Sequence, residues 1–279
     1  MSTTVPPTGR DAVPWRADPY ADALRNGHGP LFLRRSDGWL LPLEVERWCA
    51  APDAADLSAL RRCTGPVLDI GCGPGRLVAA LAALGYPVLG IDISEAAVAR
   101  TLRLGGTALR RSVFDSLPGE GRWGTALLID GNIGIGGDPA ALLARTARLL
   151  APGGLLVAES APVDIDERVQ VHVDDGRGRD TAGATFPWAR LGTPALLRHA
   201  RPSGWRLTDQ WIVGGRSFVA LRRRRRNVRD ARDVRDARDA PDIRSLRRSS
   251  HSAEPPNNAA VTSSQRARNT SAGRPVAGS

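Results

Sequence analysis

Residues 67–81 read VLDIGCGPGRLVAAL: an apolar run, a turn holding three glycines, then apolar residues at helical spacing. A strand that ends in a glycine-rich turn and opens a helix presents backbone amides and a helix start where α/β folds bind nucleotide-like ligands. Spacing separates the possible ligands. A dinucleotide fingerprint needs G-x-G-x-x-G so that the backbone can approach a pyrophosphate. Gly71 and Gly73 fit it, but Arg76 holds the third position and the glycine falls one residue early, at Gly75. A Walker-type loop needs Gly-Lys-Ser/Thr, and the chain contains no lysine. Both phosphate readings weaken.

Outward from this turn, strand-like and helix-like segments alternate as in a parallel sheet. Strands are expected at 67–70, 87–91, 107–111, 124–129 and 155–159, with helices at 75–84, 94–103 and 138–150, the last stopped by APGG at 151–154. WRLTDQWIVGGRSFVALRR (205–223) reads as two strands turning at Gly214-Gly215, an antiparallel hairpin that closes the sheet. Upstream, 18–25 reads as a helix capped by Asp18. Residues 30–44 read as a hairpin around Ser-Asp-Gly, followed by two short helices, the second capped by Asp53. RVQVHVDD (168–175) alternates and pairs with TFPWARL as an inserted hairpin, and 193–204 reads as a helix.

The formal charge of +10 is concentrated at one end: residues 222–279 hold fifteen Arg against five Asp and one Glu. That tail opens with RRRRR, continues as a period-three Arg-Asp repeat and ends in Ser, Asn, Pro and Ala, so disorder is expected. Any nucleic-acid affinity would rest on it alone. Cys49, Cys63 and Cys72 are odd in number and scattered, which argues against a disulfide framework and fits a cytoplasmic protein. MSTTVPPTGR lacks the apolar core of a secretory signal, and no apolar stretch approaches the length of a bilayer span.

VLDIGCGPG followed by VLGIDIS (88–94) resembles the first two motifs of class I S-adenosylmethionine-dependent methyltransferases, whose pattern is D/E-x-G-x-G-x-G and then an acid ending the second strand. The resemblance runs over roughly 65–160 and weakens toward 221. It implies an α/β, Rossmann-like fold: a seven-stranded, mostly parallel sheet with a C-terminal antiparallel hairpin and helices on both faces. It also implies S-adenosylmethionine as cofactor. Residues 1–60 would form an N-terminal lid or cap, 61–222 the cofactor-binding methyltransferase domain and 223–279 the tail. On this resemblance Asp69 lies near the ligand's ammonium and Gly71, Cys72, Gly73 and Gly75 form the ligand turn. Asp92 takes the ribose hydroxyls, Asp115 the adenine amino group, and Phe114 or Ile93 pack on the ring.

Acceptor-binding residues are expected in LLIDGNIGIGGDP (127–139), where Asp130 and Asn132 are the polar groups nearest the expected methyl. Asp130 is a general base or acceptor ligand on one reading and a cap of the glycine turn on the other. The glycines there suit a close-packed small substrate or a mobile loop. Arg34, Arg35 and Arg76 weakly favour an anionic acceptor. The four histidines share no metal-ligand spacing, and no metal is expected. Three readings stand: a small-molecule methyltransferase, an RNA methyltransferase that holds phosphates with the tail, and a non-catalytic or nicotinamide-binding protein.

Overall fold

The computed structural model describes residues 18–177 and 184–223. The chain opens with helix α1 (Asp18–Asn26) and a hairpin of β1 (Phe32–Arg35) and β2 (Leu40–Pro42), which turns through Gly38 at φ +87°. Helices α2 (Val45–Cys49) and α3 (Ala54–Leu60) follow. Asp53 caps α3 in a reciprocal box: its carboxylate accepts the Asp56 amide at 2.7 Å, and the Asp56 carboxylate accepts the Asp53 amide at 3.3 Å.

The expected alternation comes next: β3 (Val67–Ile70), α4 (Arg76–Ala83), β4 (Val88–Asp92), α5 (Glu95–Arg103), β5 (Ala108–Arg110), β6 (Trp123–Leu128), α6 (Pro139–Leu149) and β7 (Leu150–Ser160). An insert of β8 (Asp166–Asp174) and β9 (Phe186–Leu191) precedes α7 (Thr193–Ala200), β10 (Trp205–Val213) and β11 (Arg216–Arg223). Seven strands form one sheet in the order β10-β11-β7-β6-β3-β4-β5. The five from β7 to β5 run parallel, and β11 alone is reversed, antiparallel both to β7 and to β10. The tail from residue 224 and the side chain of Asp18 lie outside the described residues.

Every residue of β3 is buried, as expected of a strand covered on both faces. Leu68, Ile70 and Leu128 pack against Leu142, Leu143 and Leu196 on the α6/α7 side. Val67, Leu127 and Ile129 pack against Ala59, Leu77 and Leu81 on the α3/α4 side. Each buried leucine contributes about 1.5–3 kcal/mol, so the two apolar layers anchor the sheet whose strand ends carry the site. One boundary differs from expectation. APGG does not separate α6 from a strand at 155; β7 already starts at Leu150, and these residues form a bulge between the pairs Trp123–Leu150 and Thr125–Leu155, with Gly153 at φ +81°.

The two hairpins expected separately join into a second, antiparallel sheet of order β2-β1-β8-β9. Leu33 pairs with Val173, and Arg34 with His172. Leu31, Leu33, Val45, Val171, Val173, Phe186 and Trp188 make a third apolar cluster, which rests on Ala97 of α5.

Candidate functional site

At the carboxyl ends of β3, β4 and β6 a cavity of about 270 Å³ opens under the second sheet. Its floor is the turn from Ile70 to Pro74, with Ile91, Asp92 and Ile93 beside it. Val113 and Phe114 flank it after β5, and Asp130, Asn132, Ile135 and Gly136 after β6. Its roof comes from elsewhere in the chain: Tyr20 of α1, Leu43, Trp48 of α2, and Phe186, Pro187 and Trp188 of β9.

The glycine turn has three different reasons for its glycines. Gly71, at φ +73°, lies so close to Asn132 that a Cβ would stand 2.7 Å from its Nδ2. Asn132 reaches over the turn and donates that amide to the carbonyls of Ile70 (3.0 Å) and Gly71 (2.9 Å). A Cβ on Gly73, at φ +54°, would meet only the Tyr20 hydroxyl, at 3.9 Å; the Gly73 amide donates to Asp92 Oδ2 at 2.9 Å, while the Ser94 amide donates to Oδ1 at 2.8 Å. Gly75 does not line the cavity: its missing side chain admits Thr101 of α5, whose Oγ1 would stand 2.4 Å from a Cβ. It therefore serves helix packing, where the resemblance implied ligand contact. Cys72 does line the cavity, with its thiol packed among Val78, Val98 and Ala108.

Asp69 and Asp115 also differ from the expectation. Strand alternation turns Asp69 to the α3/α4 face with Val67, where it is 2% exposed and its Oδ2 has no hydrogen-bond partner. Burial raises its pKa to about 7; Arg76 opposes this, and the Asp130, Asp92 and Asp56 carboxylates add to it. Burial likewise raises Asp92 to about 6, against the lowering effect of the Ser94, Gly73 and Ile93 amides. Asp115 is exposed and outside the cavity lining; its Oδ2 turns back to accept the Ser112 amide at 2.9 Å. Phe114 and Ile93 line the cavity.

Asp130 is neither a free base nor a turn cap. It holds φ +59°, the sole non-glycine positive φ among the described residues, and three guanidiniums close on it. Arg47 of α2 donates to Oδ1 at 2.7 Å, Arg76 reaches Oδ2 at 2.8 Å, and Arg216 donates to Oδ1 at 3.1 Å. Arg76, its side chain 4% exposed, also forks onto Asp56 at 2.8 and 3.0 Å. Arg216 forks onto Glu159 at 2.9 and 2.8 Å and adds Asp56 at 2.8 Å. Burial pushes the Asp56 carboxyl up, but the two arginines outweigh it and hold it at about 2. Arg34 and Arg35 are likewise taken, by Asp174 at 2.9 Å and Glu167 at 2.6 Å. None of the three arginines expected to favour an anionic acceptor is therefore without a carboxylate.

Of the four glycines in 131–137, Gly134, Gly136 and Gly137 each make room for a neighbouring element, Gly136 also lines the cavity, and Gly131 has open space around it. A Cβ on Gly134 would stand 2.2 Å from the Ala189 carbonyl oxygen, and one on Gly137 2.6 Å from Pro187. They let β9 lie directly on this loop, where Ile135 bridges Trp188. Gly136 makes room for the Phe114 ring, 2.8 Å from where its Cβ would be. Among the described residues no group of three or more His, Cys, Asp or Glu side chains could hold a metal ion, and no helix is long and apolar enough to cross a membrane.

A family model described as a methyltransferase domain matches residues 45–190, just over half of the chain. The chain belongs to that family. Its motifs and sheet order make it a class I S-adenosylmethionine-dependent methyltransferase. This methyltransferase is 38% identical over 98 residues to the ubiquinone biosynthesis O-methyltransferase of Thiobacillus denitrificans, a match covering 32% of the chain and 40% of that protein. It is 56% identical over 36 residues to an uncharacterised methyltransferase of Schizosaccharomyces pombe, covering 13% and 25%. The chain thus spans well under two thirds of both curated relatives. Among solved structures, a S-adenosylmethionine-dependent methyltransferase from Bacteroides fragilis in complex with S-adenosyl-L-homocysteine is similar at TM-score 0.60 and 21% identity, over 75% of this chain and 96% of that one. That likeness is one of fold.

Sequence reasoning missed Tyr20 and Phe186 in the lining and the partners of Asp130. One signal was present: Arg76, which spoils the dinucleotide spacing, is the sole charge of an otherwise apolar helix, at its first position, and a buried arginine needs carboxylates.

Proposed function

We propose that this methyltransferase transfers a methyl group from S-adenosylmethionine to a small organic acceptor enclosed beneath the second sheet. One observation carries the reading: a single cavity joins the glycine turn and Asp92 to a chamber walled by Trp48, Phe186 and Trp188. The residues present suit the cofactor. Asp92 is at a strand tip with lone pairs left beyond its two backbone amides, enough to accept ribose hydroxyls. Ile93 and Phe114 offer apolar surface to a base. When bound, the cofactor supplies an electrophilic methyl group.

The chain's own contribution is placement. Asn132 ties the loop after β6 to the turn after β3. Asp130 serves as a positioning residue whose lone pairs are occupied by Arg47, Arg76 and Arg216. Tyr20 and Cys72 remain protonated, both raised well above their ordinary values by burial first and by the Asp92 carboxylate next. Tyr20, Cys72 and Asp130 are thus not available as general bases, and Asp92 is committed to the ribose. Rate enhancement rests on alignment and exclusion of water, which alone can supply a large share of a barrier reduction. Calorimetry with S-adenosylhomocysteine and with NAD tests the cofactor reading; heat from the first and none from the second is expected. Labelled cofactor added to cell extract tests the acceptor. Label in the metabolite fraction supports the reading, whereas label in RNA or protein overturns it.

A further inference from the structure

At the end of the cavity where Ile93 and Phe114 offer apolar surface to a base, the polar groups around that surface decide how the base is read. The side chains lining it after β5 are Arg111, Ser112, Val113 and Phe114, and none is acidic. Asp115, the next residue, is tied to Ser112 in both directions. Its carboxylate accepts the Ser112 amide at 2.9 Å, and its amide donates to the Ser112 carbonyl at 3.1 Å. The loop is also fixed to α6, whose buried Arg145 donates to the carbonyls of Val113 at 2.8 Å and Asp115 at 2.6 Å. Glu120 accepts from Arg145 at 2.6 Å and from the Leu117 amide at 2.9 Å. Turning Asp115 toward the cavity breaks its bond to the Ser112 amide, and the backbone cannot follow without giving up Arg145.

The other acids nearby are accounted for. Among the described lining residues only Asp92 and Asp130 carry carboxylates; the first serves the ribose and the second is occupied by three guanidiniums. Glu95, at the start of α5, pairs with Arg110 and lies outside the lining. A purine 6-amino group, which donates, thus meets no carboxylate at this end. Arg111 can only donate, and the Ser112 hydroxyl can donate or accept, so these groups suit a 6-oxo substituent as well as a 6-amino one. The Phe114 amide is spent on Ser112 Oγ at 3.2 Å and does not read the neighbouring ring nitrogen. Phe114 itself is exposed, so this end of the cavity meets water, which satisfies either substituent.

We infer that this chain holds the base of its cofactor by stacking and does not select the 6-amino group: a deaminated, 6-oxo cofactor binds nearly as well as the adenosyl one, and Asp115 secures the loop without touching the base. The inference rests on the proposed seat of the cofactor and defines its specificity.

The test is calorimetric titration of the full chain with S-adenosylhomocysteine and with S-inosylhomocysteine, its 6-oxo analogue. The two should bind within about five-fold of each other, whereas a charge-assisted bond from the amino group to a carboxylate would separate them by about ten-fold or more. Whatever Asp115→Ala does to the loop moves both affinities together, so their ratio should stay within about two-fold of the wild-type value. Phe114→Ala should weaken both ligands by about five-fold or more, the loss expected when an aromatic stacked on a base is removed. A larger preference for S-adenosylhomocysteine that collapses in Asp115→Ala would return Asp115 to the base and overturn the proposal. The same preference persisting in that variant would assign the amino group to another acceptor and overturn it equally. Unchanged affinities in a folded Phe114→Ala would remove the stacking. If a variant does not fold, the wild-type ratio decides alone. Binding of neither ligand would instead remove the cofactor's proposed seat, and the inference with it.

Discussion

Replacing Asp69 by Asn should change how stability depends on pH, in a direction opposite to that of most carboxylates. Asp69 is 2% exposed, and burial carries its pKa to about 7, against about 4 in an unfolded chain. Between these values the folded protein holds a proton that the unfolded chain has released. Stability therefore falls as pH rises through the window and levels off above the folded value. From pH 5 to its folded pKa, at about 1.4 kcal/mol per pH unit, Asp69 contributes a loss of roughly 3 kcal/mol. Asp92, raised to about 6, adds roughly 1 kcal/mol in the same sense. Asp56 and Glu120, held at about 2, finish titrating below this range and leave it unaffected. The cofactor-free wild type should thus lose roughly 4 kcal/mol between pH 5 and 8, and Asp69→Asn only about 1. At an m-value of about 2 kcal/mol/M the variant's urea midpoint at pH 8 should lie about 1.5 M nearer its pH 5 value than the wild type's does. Urea unfolding followed by tryptophan fluorescence at pH 5, 6.5 and 8 measures this. Parallel curves for the two proteins, or a wild type that gains stability as pH rises, would refute the account of Asp69 as a buried, uncompensated acid.

Three further perturbations probe the rest of the site. Asp92→Ala should weaken S-adenosylhomocysteine binding ten-fold or more, since charge-assisted hydrogen bonds contribute about 1.5–3 kcal/mol each; unchanged calorimetric affinity in a folded variant removes it from the ribose. Gly134→Ala puts a Cβ 2.2 Å from the Ala189 carbonyl, without any φ penalty, so β9 must shift. A loss of about 1–3 kcal/mol is expected, with amide exchange accelerated in 186–191 and not in 88–92. Arg47→Met leaves Asp130 two guanidiniums, so global stability should drop by only about 1 kcal/mol while exchange in 45–49 rises; an unaltered α2 would show that the bridge does not hold it.

The parallel core was legible because its signals are local. The β3 run buried at every position, the turn glycines and the Asp53 cap each act within a few residues. The joining of β1 to β8 was not, because hairpin periodicity says that Leu33 and Val173 face inward but not that they face each other. The same limit hid the Asp130 cluster, whose arginines come from α2, α4 and β11. Asp115 shows the opposite error. A family position was carried over onto an acid whose nearest donor, the Ser112 amide, is three residues away, and the short bond wins. The glycines at 134 and 137 looked like an absence of bulk; their meaning lay in the strand that presses on them.

The β1–β8 seam has a consequence for the order of synthesis. Arg34 and Asp174 are 140 residues apart, so the first-made half of the roof leaves the ribosome long before its partner exists. Until β8 emerges, Leu31, Leu33 and Val45 have no neighbour to cover them from that side, and one edge of the hairpin stands open to any passing strand. The seven-stranded sheet cannot relieve this early, because β11, which links β10 to β7, is made later still. The nascent chain therefore exposes an apolar hairpin well before its partner strand is made, and a chaperone that shields residues 30–49 during translation should raise the yield of folded enzyme more than one acting on the completed chain.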